Sequence, residues 1–187
     1  MPVMKTAAVR AATAGLFAGL TLSSALVAPA AHAAQGDLDC TGAFNIDITP
    51  PLTPQRLTST AHATGLFANC LSLNGRYDNI QSGVIDAYAT VSANGLPANI
   101  CQLLLTFKSN NPAVNTFTWS PNAGISHYTW RISTDPAQGV VLQAHISSGT
   151  LAGDTGTAVP VLADPNPDCA LNGLKSLTVD LGAFNFD

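Results

Sequence analysis

The sequence predicts an all-β fold, and three observations carry that prediction. Apolar and polar residues alternate along most of the chain after residue 33, turn residues recur about every ten positions, and residues that favour helices are scarce. There is no Glu, both Met residues (Met1 and Met4) lie at the amino terminus, and all 11 acidic residues are Asp, a turn former and poor helix former. Thr, Ser, Asn, Gly and Pro fill the remainder, which suits strands joined by tight turns. The expected architecture is an antiparallel β-sandwich, immunoglobulin-like or jelly-roll-like, of about eight or nine strands.

A helical signal peptide is expected over residues 1–33. Lys5 and Arg10 supply a positive start, Ala11 to Ala28 is apolar or small apart from Thr13, Thr21, Ser23 and Ser24, and Pro29 breaks the run. Ala31-His32-Ala33 then has the small-x-small pattern that signal peptidase accepts. No basic cluster follows to stop transfer, so cleavage after Ala33 is expected and no membrane anchor remains. Residues 34–187 then form a single secreted, extracellular domain, large enough for a sizeable core.

Within that domain Phe44, Ile46 and Ile48 alternate with Asn45, Asp47 and Thr49, and the Pro50-Pro51-Leu52-Thr53-Pro54 run is expected to stop the strand. Leu57 to Thr64 reads as extended, with Thr58, Thr60, His62 and Thr64 on one side. Ile85, Ala87, Ala89 and Val91 alternate with Asp86, Tyr88 and Thr90 up to Asn94-Gly95, and Leu103 to Phe107 is a short apolar strand. The clearest hairpin sets Phe117 and Trp119 against Tyr128, Trp130 and Ile132 across Pro121-Asn122-Ala123-Gly124. Val140, Leu142, Ala144 and Ile146 point inward from the next strand, with Gln143 and His145 outward. Pro160 marks Thr157 to Leu162 as an edge strand, and Leu177, Val179 and Leu181 define the last. Gly42-Ala43-Phe44-Asn45-Ile46-Asp47 echoes Gly182-Ala183-Phe184-Asn185-Phe186-Asp187, compatible with terminal strands lying side by side.

Cys40, Cys70, Cys101 and Cys169 form an even set in an exported chain, and so imply two disulfides with three possible connectivities. A hairpin turning at Pro50–Pro54 brings the start of its first strand to the end of its second. That favours Cys40 with Cys70, leaving Cys101 with Cys169. None is spaced as C-x-x-C, so neither a redox pair nor a zinc ribbon is signalled.

Charge narrows the partners. The net charge of −4 becomes −6 once Lys5 and Arg10 are removed, with no basic stripe. That argues against nucleic acid and anionic membrane surfaces.

Each chemical motif meets a simpler structural explanation. Gly124-Ile125-Ser126-His127-Tyr128 lacks the final glycine of a nucleophile elbow. Ser126 and His127, as strand neighbours, point to opposite faces. His62, His127 and His145 show no metal-binding spacing. Asp164-Pro165-Asn166-Pro167-Asp168 has the first oxygen spacings of a calcium loop, but Cys169 and Lys175 stand where glycine and a bidentate glutamate are required. A rigid turn is the better account, and neither a metal nor a cofactor is expected. Asp37 and Asp39 fall in an expected mobile leader, while Asp86 and Asp180 sit outward on strands.

Trp119, Tyr128 and Trp130, with Phe117, admit two readings. They fill a core otherwise built from Ala, Val, Ile and Leu, or they form an exposed platform for sugar rings.

The layout also resembles a group of small uncharacterised actinobacterial secreted β-proteins. The marks are Cys40-Thr41-Gly42 opening a strand that ends in Pro51-Leu52-Thr53, Cys70 closing the next, and Cys101 opening another. Trp119 is then followed by a turn and Ser126, and Ser148-Gly149-Thr150-Leu151-Ala152-Gly153-Asp154 precedes Cys169. The resemblance implies a secreted β-fold and carries no catalytic residue. The functional expectation is a non-catalytic extracellular domain, an interaction or structural module for a glycan or protein ligand. Its alternatives are a carbohydrate- or surface-binding module using the aromatic hairpin, and a secreted hydrolase with an Asp/His site.

Overall fold

A computed structural model describes residues 36–93, 97–102, 105–135, 139–158 and 161–187. The expected signal segment, the Asn94-Gly95 turn and Pro160 lie outside them.

Alternation sets the faces of ten strands. These are β1 (Leu38–Leu52), β2 (Thr58–Leu71), β3 (Ser82–Ala93), β4 (Leu105–Lys108), β5 (Thr116–Ser120), β6 (Gly124–Asp135), β7 (Gly139–Gly149), β8 (Thr155–Ala158), β9 (Val161–Pro165) and β10 (Leu174–Phe186). Every pairing is antiparallel, and the strands follow one another around the sheet in the order β1-β2-β3-β4-β6-β7-β8-β10, with β5 also between β3 and β6 and β9 beside β10. The β1–β10 ladder, from Leu38 opposite Phe186 to Leu52 opposite Leu174, joins the two ends of the sheet.

The architecture therefore differs from the expected sandwich in one respect: the sheet closes on itself as an eight-stranded antiparallel barrel. Ten strands occupy eight positions because two positions are each shared by a pair. Alternation fixes which side chains point inward, but it is the same for a sandwich face and a barrel wall. Closure is decided by the β1–β10 pairing, which the echo of the two terminal segments hinted at and single-strand periodicity cannot express.

β4 and β5 share one position between β3 and β6. Lys108 stands opposite Thr90 and Thr116 opposite Asp86, so eight steps along this stave cover four along β3. The surplus is thrown out as an excursion around a short 3-10 turn, Pro112–Val114. β8 and β9 share the other position. They keep one register on β10, with Gly156 opposite Phe186 and Val161 opposite Leu181. β8 is ladder-bonded on both sides, to β7 and β10, while β9 pairs with β10 alone. The edge character expected for Thr157 to Leu162 thus holds only for its second half.

The prolines at the end of β1 do not stop it. The β1–β2 ladder ends at Thr49 opposite Thr60, and the β10 register shifts between Asp47 and Leu52. Pro50 and Pro51 sit where no N–H is demanded, and Ser59 Oγ donates to the Pro50 carbonyl. Asp37 and Asp39 are not a mobile leader either. Asp37 is ion-paired with Arg76 and bonded by Asn74, and Asp39 accepts from Asn185 within the β1–β10 pair.

Cys40 is bonded to Cys70 and Cys101 to Cys169, the pairing the hairpin argument favours. The first bond ties β1 to β2 near one end of the barrel. The second ties the 3-10 turn Pro97–Gln102 to the one-turn helix Cys169–Asn172 near the other.

The core is the barrel's interior. Every Phe and Trp among the described residues is buried, and Tyr128 with them. Phe67 is the hub, its ring centroid 5.2 Å from Phe117, 5.7 Å from Trp119, 5.1 Å from Phe184 and 5.8 Å from Phe186. Glycine makes room for this crowd. A Cβ at Gly83 would lie 2.6 Å from Trp119 Cε3, so the indole occupies the space where a side chain would be. Ile80, Ile100 and Leu151, from connections at the two ends, are also buried in this core. Among the described residues no helix is long and apolar enough to cross a membrane.

Candidate functional site: the outer wall at the interrupted stave

An eight-stranded barrel either fills its interior with side chains or leaves room for one small ligand. Here the interior void is about 20 Å³, lined only by apolar and aromatic residues such as Phe44, Phe67, Tyr128 and Trp130. That is the room of a single water, offered no polar partner. The interior is thus taken up by the protein's own side chains.

The aromatic hairpin belongs to that inside. Trp119, Tyr128 and Trp130 are 3%, 2% and 5% exposed, and the platform reading is corrected accordingly. β6 pairs with β5 from Gly124 opposite Trp119 to His127 opposite Thr116, and this register sends all three rings into the barrel. Phe117 stacks on Tyr128 with centroids 3.7 Å apart, and Phe107 lies 5.9 Å from Trp130. Burial raises the Tyr128 phenol well above its ordinary value, with the Asp86 charge adding to it.

Ser126 is likewise consumed. It is wholly buried, accepts from Trp119 Nε1 at 2.7 Å, and donates to the Thr150 carbonyl. Its hydroxyl satisfies an indole N–H that would otherwise be orphaned in the core. His127, next in the chain, faces the other way, and its Nδ1 has no hydrogen-bond partner.

The would-be calcium loop is occupied by the chain's own groups. Asn166 Oδ1 accepts from Lys175 N at 2.9 Å, and its Nδ2 donates to Asp168 and the Gly173 carbonyl. Lys175 Nζ meets Asp168 Oδ2 at 2.7 Å. Lys175 first, then Asn166 and Asn172, hold the Asp168 carboxyl well below the usual carboxylate range. The residue that misses the calcium pattern supplies the positive charge. Among the described residues no group of three or more His, Cys, Asp or Glu side chains could hold a metal.

Outside the barrel, β2 and β3 bring His62 and Tyr88 opposite each other. The imidazole and phenol stack at 4.2 Å and 5°, and His62 Nε2 lies 2.7 Å from Asp86 Oδ1. This His–Asp pair was invisible in sequence because the partners are 24 residues apart. Among the described residues no Ser or Cys side chain is bonded to it, and the His62 and Asp86 side chains are 37% and 51% exposed.

The interruption between β4 and β5 is held open by one residue. Asn115 is fully buried. Its Oδ1 accepts from Tyr88 N, its backbone carbonyl from Tyr128 N, and its Nδ2 donates to the Tyr128 and Asn111 carbonyls and to Ser109. The side chain thus replaces ladder bonds that a continuous strand would have made between β3 and β6.

The excursion that Asn115 anchors stands proud of the wall and creates a groove on each side. One, of about 260 Å³, runs between Tyr88, Thr90 and Val114. The other, of about 500 Å³, runs over β6 and β7 and is lined by Lys108, Asn110, Thr129, Arg131, Gln143 and His145 among others. Arg131 Nε donates to Gln143 Oε1 at 2.7 Å, and Nη2 donates to the same oxygen. Sequence reasoning placed His145 and Gln143 outward but missed Lys108 and Arg131. Only the register puts those two side by side.

Comparison with family models, with curated proteins and with solved structures finds no match for this chain.

Proposed function

We propose that residues 34–187 work outside the cytoplasm as a non-catalytic interaction or structural module, exported by the signal in residues 1–33. Its working surface is the outer wall, foremost the grooves beside the β4–β5 interruption. One observation carries this reading: the barrel interior, where a fold of this kind would hold a small ligand, is filled by its own rings. The buried hydroxyl of Ser126 and the self-bonded Asn166–Asp168 turn support it, because both of these chemical-looking features are spent on structure. The likeness to the actinobacterial secreted group belongs to the same reading, carried by the cysteine and glycine marks.

The test has two parts. Mass spectrometry of the medium of an expressing culture should find a protein beginning near Ala34. The purified protein, assayed against chromogenic esters, glycosides and peptides, should release no more product than its His62→Ala and Asp86→Asn variants. Turnover that either substitution abolishes would make the protein a hydrolase and overturn the reading.

A further inference from the structure

We propose that the groove bounded by Lys108, Arg131, Gln143 and His145 binds an oxyanionic group, the carboxylate, phosphate or sulfate of a small ligand. This deepens the outer-wall reading above by naming a ligand chemistry for one of its grooves.

Charge placement is the first reason. The described residues carry five Lys and Arg side chains against eleven Asp. Arg76 and Lys175 are each ion-paired with an Asp. Lys108 and Arg131, by contrast, are directly opposite one another on β4 and β6, and among the described residues no carboxylate lines the groove they share. Like charges at opposed positions of an antiparallel pair repel and destabilise it. In a chain with an excess of acid, two of the few cations are brought together, and among the described residues neither is ion-paired.

Donor geometry is the second. Gln143 Oε1 takes two of the guanidinium N–H bonds. That fixes the guanidinium plane and leaves Nη1 for a ligand. It also turns the Gln143 amide so that its NH₂ remains as a donor. The Lys108 ammonium makes no hydrogen bond or ion pair among the described residues. His145 lies opposite Thr129 on the neighbouring strand and adds a ring nitrogen further along the same groove. Two cations, from β4 and β6, and the Gln143 amide, from β7, thus line one groove as donors.

The third is shape. The Ser109–Asn110 segment forms a wall beside β6 and gives a groove of about 500 Å³. That is large enough to take an anionic group together with the molecule that bears it. Asn115 holds this wall in place from below. A larger recess of about 660 Å³ lies over β1, β2 and β10, but its lining holds Asp180 and no Lys, Arg or His.

The experiment titrates the isotopically labelled mature protein with inorganic phosphate, sulfate and succinate in separate arms, at physiological chloride so that exposed charges are screened. Saturable amide shifts confined to residues around Lys108, Thr129, Arg131 and His145 are expected in at least one arm, and the arm that saturates first names the anion class. Lys108→Gln and Arg131→Gln should each weaken that binding about ten- to hundredfold, as loss of a charge-assisted hydrogen bond does. Arg56→Gln, an exposed cation elsewhere on the surface, should leave it unchanged. Native tryptophan emission of each variant confirms that it folds. No saturation by any of the three anions, or saturation that survives the Lys108→Gln/Arg131→Gln double variant, overturns the proposal. Either result leaves the outer-wall reading standing, because what overturns that reading is His62- or Asp86-dependent turnover or a ligand held inside the barrel.

Discussion

The two faces of β6 differ more than any two distant parts of the molecule. Inward, Ser126, Tyr128, Trp130 and Ile132 are buried, and the Ser126 hydroxyl and both indole N–H groups have partners. Outward, Thr129 and Arg131 line an open groove beside the interrupted stave. One strand therefore serves stability with its even-numbered residues and solvent with its odd-numbered ones. The separation is possible because the side-chain period of a strand is two.

That division can be broken from the inside first. Removing the Cys101–Cys169 bond, which closes a separation of 68 residues, should cost about 4.4 kcal/mol in the chain-entropy account, against about 3.6 for the 30-residue Cys40–Cys70 separation. Urea unfolding of the two Cys→Ala double variants measures the difference and its order. Phe67→Ala removes the ring that four others meet, and should cost about 3–5 kcal/mol in the same assay.

Asn115→Ala should follow at about 2–4 kcal/mol, because it strands the Tyr88 N–H and reduces bonding at the Tyr128 carbonyl. Hydrogen exchange at Tyr88 would rise before that of the β1–β2 ladder. The outer face should respond least: His62→Ala or Arg131→Gln should shift stability by about 0.5 kcal/mol or less. A loss like that of Phe67→Ala at either position would end the inside–outside distinction.

Two aspartates sharpen the same contrast through pH. Burial foremost, then Asp37 with Asp187 in support and Arg76 opposing, raises the Asp154 carboxyl above its ordinary value, and its Oδ2 has no hydrogen-bond partner. Between the ordinary value and the raised one, the folded chain holds more proton than the unfolded chain. This group's contribution therefore falls as pH rises through that window. Asp154→Asn should be more stable than the parent at neutral pH, and the gain should vanish below the ordinary carboxylate range. Asp168 behaves oppositely. Its lowered value gives stability present above the ordinary carboxylate range and lost as pH falls through the folded value. Thermal midpoints of the parent, Asp154→Asn and Asp168→Asn between acid and neutral pH separate the two signs.

The inner face was largely legible in the sequence and the outer face was not, for a physical reason. Burial is a property of each strand alone, so Ile85, Ala87 and Val91, or Leu177, Val179 and Leu181, announce themselves by spacing. A site on the wall is a property of neighbouring strands. Lys108 with Arg131, and His62 with Asp86, require the register. The register at β4–β5 in turn depends on an excursion of four surplus residues that no local pattern marks. Asn115 shows the same limit. It reads as one polar residue among several between Ser109 and Thr116, yet it is buried and bonded to both flanking strands. The prolines of β1 were misread because a proline stops a strand only where the ladder asks for its N–H.

The most direct test of the filled interior uses the rings that fill it. Trp119 and Trp130 should emit at blue-shifted wavelengths, insensitive to iodide, and titration with fatty acids, retinoids and small aromatic compounds should leave that emission unchanged. Saturable, stoichiometric quenching by any of them would mean that the barrel opens to hold a ligand, and would move the working site from the wall to the interior.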